Sequence, residues 1–110
     1  MNVQHKNLAA GRWKQFSFME QMANIGSEVE RALNWKAKGN LDYCQKAFER
    51  ALELIDLTLD SIKEASRLKE LARIREALVD YFVGINEFVS NERAWRNYFS
   101  VFTYAARKNY

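Results

Sequence analysis

The sequence predicts an all-α protein, an antiparallel up-down-up-down four-helix bundle. Three observations predict it. Proline is absent and glycine occurs only four times in 110 residues, so little interrupts a helix. Apolar residues recur at helical spacing through long runs. Short polar stretches separate runs of similar length, as antiparallel neighbours require. The expected helices are 17–38, 40–62, 66–89 and 91–108, in one domain over 17–110 that follows an N-terminal arm, 1–16.

The arm is read as loosely ordered, with Trp13 and Phe16 docking on the bundle. Ser17 and Glu20 then form a capping box, in which each side chain meets the other's backbone amide. Phe18, Met22, Ile25, Val29, Ala32 and Lys36 line the main face of the first helix, and Met19, Gly26 and Leu33 make a second seam. Gly26 costs a helix about 1 kcal/mol against alanine. Close approach of another helix is the expected return. Gly39 suits a left-handed position after the first helix, and Asn40 suits the N-cap of the next.

Residues 40–62 are the most regularly patterned in the chain. At about 100° per residue, Leu41, Cys44, Ala47, Phe48, Ala51, Leu52, Leu54, Ile55, Thr58, Leu59 and Ile62 share one broad face. Asp42, Glu49, Glu53, Asp56 and Asp60 form an acidic stripe opposite. Leu71, Ile74, Leu78, Phe82 and Ile85 fall about 180° from the face that ends at Ile62. One helix cannot turn its buried side over so quickly, so a reversal is expected near 61–67, with Ser61 or Ser66 as cap. The third helix runs from 66 to 89 unless Gly84 ends it early, and Arg75 on its flank calls for a carboxylate, with Glu28 one candidate. Ser90-Asn91 caps the fourth helix, whose buried face is Trp95, Tyr98, Phe99, Phe102 and Ala106.

The chemistry is mostly excluded by what the pattern lacks. A di-metal bundle site needs carboxylates and Glu-x-x-His pairs aimed into the core. The single histidine, His5, lies in the arm, and the acidic stripe points outward. Cys44, the single cysteine, sits on an apolar face and reads as a small core side chain, so no Cys-His or Ser-His pair can be assembled. The scattered glycines form no phosphate loop. No catalytic, metal or cofactor residue is assigned, and the chain is read as non-enzymatic.

Charge is unevenly distributed. The net charge is +3, with +3 over residues 1–14, −3 over 15–91 and +3 over 92–110. On the outer side of the fourth helix Arg93, Arg96, Ser100, Tyr104, Arg107 and Lys108 project together, a candidate anion or nucleic-acid contact. No apolar run is long enough to span a membrane, so no membrane partner is expected. The opening stretch has no apolar segment before a cleavage site, which with the lone cysteine points to the cytoplasm.

The segments EQMANIGSEVERALNWKAKGN (20–40), KAFERALELIDLTLD (46–60), LKELARIREALVDYFVGIN (68–86) and YFSVFTYAAR (98–107) resemble a family of small prokaryotic proteins labelled as hypothetical cytosolic proteins. The resemblance covers most of the chain. It implies a cytoplasmic helical protein and carries no site residues. More loosely the layout is similar to HEPN-like bundles, some of which are RNases or partners of small nucleotidyltransferases. Their nuclease motif sets a histidine a few residues after an arginine, and no histidine follows Arg93 or Arg96. The preferred reading is a self-associating interaction protein, a homo-oligomer. An RNA- or DNA-binding module using the fourth helix is the alternative.

Overall fold

The computed structural model describes residues 11–108. They form four α-helices and no strand: α1, Phe18–Ala37; α2, Leu41–Ser61; α3, Ala65–Phe82; and α4, Glu92–Lys108, preceded by a 3-10 turn at Trp13–Gln15. The remainder of the expected arm, with His5, and residues 109–110 lie outside the described residues. Helix α1 packs broadly on both α2 and α4, whereas α3 packs chiefly on α2. The core therefore runs through α1, where Met22, Ile25 and Val29 are sealed from water against Phe48 and Ile55 of α2 and Phe99 of α4.

The local signals at the start of the bundle appear as expected. Ser17 Oγ accepts the Glu20 amide at 3.1 Å, and Glu20 Oε1 accepts the Ser17 amide at 2.8 Å. Gly39 adopts φ +76°, the left-handed conformation that costs an L side chain most, and Asn40 Oδ1 accepts the Tyr43 amide at 3.1 Å. At Gly26 a Cβ would stand 2.8 Å from Cβ of Phe99, closer than atoms can approach. The glycine lets α4 lie directly against α1. Cys44 is buried and unpaired, and burial, partly offset by Lys36, raises its thiol pKa.

Three expectations need correction. The third helix stops at Phe82, not 89, because the chain beyond turns back onto the carboxylate of Asp80. Neither serine caps it. Its N-cap is Glu64, without a side-chain cap bond, so Ser66 falls inside the first turn and the Ser61 hydroxyl donates to the Thr58 carbonyl at 2.9 Å. Arg75 does not reach Glu28. It pairs with Asp56 of the acidic stripe at 2.8 Å, since α3 lies on α2 rather than on α1. Glu28, nearly buried, is held instead by Arg31 at 2.7 Å and Arg50 at 3.2 Å.

The segment before α1 is tied into the core. Trp13 is 5% exposed; its indole N–H donates to Thr58 Oγ1 at 2.9 Å, and Gln21 Nε2 donates to its carbonyl at 2.8 Å. The Thr58 hydroxyl, fully buried, donates in turn to the Leu54 carbonyl at 2.8 Å. Phe16 meets Trp13 edge-on and is 41% exposed. Replacing Thr58 by valine keeps the shape and removes the acceptor, stranding a buried N–H. Thr58→Val is expected to lower stability by about 1–3 kcal/mol in urea unfolding, although valine is the more apolar residue. An unchanged midpoint would show that Trp13 finds no support from this hydroxyl.

Candidate interaction surfaces

Helix α4 is capped by Asn91, whose Oδ1 accepts the Ala94 amide at 2.8 Å. From this cap Trp95, Phe99, Phe102 and Ala106 turn inward and are buried, and Tyr98 is half-buried. The residues expected to form a basic outer face divide into two sets. Arg96, Ser100, Tyr104 and Arg107 line a groove of about 510 Å³ between α1 and α4, together with Gly26, Glu30 and other residues of both helices. Arg93 and Lys108 are exposed but do not line it.

Within the groove the charges are not equivalent. Arg96 binds Glu30 at 2.8 Å, Glu92 at 2.9 Å and the Asn34 side-chain oxygen at 2.7 Å. Its guanidinium is a strut between α1 and α4, already neutralised. Arg107 has no ion pair among the described residues, and Tyr104 beside it is 69% exposed. The Ser100 hydroxyl donates to the Asn97 carbonyl at 2.9 Å. The sequence showed that these groups share a face. It could not show that Arg96 is occupied, because Glu30 lies 66 residues away along the chain. In the groove wall Trp95 keeps its indole N–H buried without a partner among the described residues.

A second surface was not anticipated. The connection 83–91 exposes Val83 at 62%, Ile85 at 83%, Phe88 at 56% and Val89 at 80%. Helical phase had assigned Ile85 to the core side of a longer helix. The signals that end the helix are present in the sequence: Gly84, where a Cβ would crowd the Asp80 carbonyl at 3.0 Å, and Asn86, which takes φ +59°. The Asp80 carboxylate accepts the amides of Glu87 at 2.8 Å and Phe88 at 3.1 Å. Asn86 reaches forward, accepting the Ser90 amide at 3.0 Å and donating to the Ser90 carbonyl at 2.9 Å. Val89 has φ +52°, a costly value for a β-branched residue. The connection is a built loop, held by two side chains.

This loop follows directly on contacts that α3 makes with α1 and α2. Just before it, Phe82 packs on Phe48 of α2 with ring centroids 4.8 Å apart, and Lys36 of α1 lies 4.9 Å from the ring centre of Tyr81. Among the described residues no group of three or more His, Cys, Asp or Glu side chains could hold a metal ion, and no helix is long and apolar enough to cross a membrane. Compared with protein-family models, curated proteins and solved structures, the chain matches none.

One titratable contact joins α3 to α4. The Tyr98 hydroxyl donates to Glu70 Oε2 at 2.6 Å. Burial, then this hydrogen bond and the charge of Glu70, raise the phenol pKa well above its ordinary value. The folded state thus favours the protonated phenol. Its contribution to stability is complete below the unfolded-state pKa of about 10 and is lost as pH rises toward the folded value. Tyr98→Phe should cost about 1 kcal/mol near neutrality. Above about pH 10 the wild-type chain should lose this advantage over Tyr98→Phe, as read from urea midpoints across the alkaline range.

Proposed function

We propose that the chain is a non-enzymatic interaction protein that associates with itself and works in the cytoplasm without a cofactor. Membership of the small prokaryotic cytosolic family that its segments resemble belongs to the same proposal. So does the alternating up-and-down order of the helices. Three-residue connections at 38–40 and 62–64 support that order. The pairing of Arg96 with Glu30 near one end of α4 and of Phe102 with Phe18 near the other supports it too.

The observation that carries the reading is the apolar surface of residues 83–89. Scattered exposed apolar side chains are ordinary on any protein. Four gathered on one ordered connection, at the expense of backbone strain, mark a contact site. Sedimentation from micromolar to millimolar chain concentration should show a species of twice the 12.9 kDa chain mass. A monomer throughout that range overturns the reading.

A second reading is favoured by Tyr104, exposed beside Arg107 and Ser100 in the groove, with Arg93 and Lys108 outside it. These could meet the phosphates and a base of a single strand. Such binding should fall steeply with salt and weaken further in Arg93→Ala and Arg107→Ala, whereas Arg96→Ala should chiefly lower stability. Oligonucleotide retention indifferent to salt would speak against it.

A further inference from the structure

The loop 83–91 carries more information than its exposed area. Its conformation is set before any partner arrives, since Asp80 holds the amides of Glu87 and Phe88 and Asn86 holds Ser90. Val89 is kept in the left-handed region, at a cost on the order of 1–3 kcal/mol. A connection under no constraint would relax Val89 and turn its apolar side chains inward. This one presents Val83, Ile85, Phe88 and Val89 to water together.

Charge indicates what covers them. Glu87 in the loop and Arg93 in the first turn of α4 are both exposed, and neither has an ion pair among the described residues. The neighbouring Glu92 is different, because Arg96 holds it at 2.9 Å. The patch thus has an apolar centre with unpaired charges of both signs near it, Glu87 and Arg93 among them. A surface of that kind is complementary to itself. In a two-fold contact, whatever residue i touches on the other copy, that residue touches i in return, so opposite charges pair twice and apolar centres meet. The apolar centre is on the order of a few hundred Å², fitting an interface that buries about 800 Å² a side once its polar border is included.

We propose that residues 83–93 form a self-complementary docking surface for a second copy of this chain, paired about a two-fold axis. The apolar side chains of the two loops cover one another, and Glu87 of each copy meets Arg93 of the other. The inference rests on the self-association reading and adds its surface, partner and symmetry.

Sedimentation of the full chain and three variants tests it, with helical content and melting temperature checked for each. Ile85→Asp places a charge at the centre of the contact and should weaken association by about tenfold or more. Glu87→Arg and Arg93→Glu should each weaken self-association, since like charges then face each other twice. Mixed in equal amounts, these two variants should associate as strongly as the wild type, because one cross-pair is then the native Glu87–Arg93 pair and the other is the same pair with its signs exchanged. If the wild type associates but all three variants match it, the surface is wrong and self-association stands. If each charge variant is weakened and the mixture does not recover, the two-fold pairing is wrong. If the wild type is monomeric, both fall. Should Ile85→Asp fail to fold, the mixing experiment decides alone.

Discussion

The fold depends on how closely α4 can lie against α1, and that is set at Gly26. Any side chain there would meet Phe99 at its Cβ, a point that cannot swing aside without moving the α4 backbone. Because the approach is close, Phe99 is buried and Arg96 is within reach of Glu30 and Asn34. On its other side α1 buries Ile25 and Val29 in the core shared with α2. Two of the three remaining helices are thus organised on one. The third, α3, enters through α2 and is joined to α4 by the hydroxyl of Tyr98.

Features decided within a few residues were legible in the sequence. The Ser17–Glu20 box, the left-handed Gly39 and the Asn40 and Asn91 caps depend on neighbours one helical turn away or less. The break between α2 and α3 was legible too, because a change of apolar phase needs no knowledge of tertiary contacts. The end of α3 was legible only as the early stop that Gly84 offered. Helical phase ran on through Ile85, and what breaks it is a carboxylate at Asp80 gathering amides seven and eight residues ahead. Periodicity is blind to a competition between a side chain and the next turn for the same N–H groups. The partner of Arg75 was misplaced for a related reason, since choosing between Glu28 and Asp56 requires knowing which helix α3 rests on.

The two surfaces illustrate why composition is a poor guide to a site. The face richest in arginine holds one that is already neutralised from two directions, so its charge serves helix packing more than recognition. A guanidinium with several donors in a fixed plane suits that structural use. The apolar loop, by contrast, looked like interior in the sequence because its residues are those of an interior. Only the hydrogen bonds of Asp80 and Asn86 reveal that it is held outside.

Trp13 bears on where the cooperative unit begins. The box at Ser17 marks the start of a helix, and a boundary drawn there would separate bundle from arm. Yet the indole fills the core, and its N–H and carbonyl are joined to Thr58 and Gln21 on two different helices. Thr58 and Gln21 are both nearly sealed from water, so neither could exchange this partner for solvent without the surrounding packing opening. Melting of the short turn at Trp13–Gln15 is thereby coupled to the pairing of α1 with α2. The folding unit extends back past the capping box, and the first turn acts as a latch on the helices that follow it.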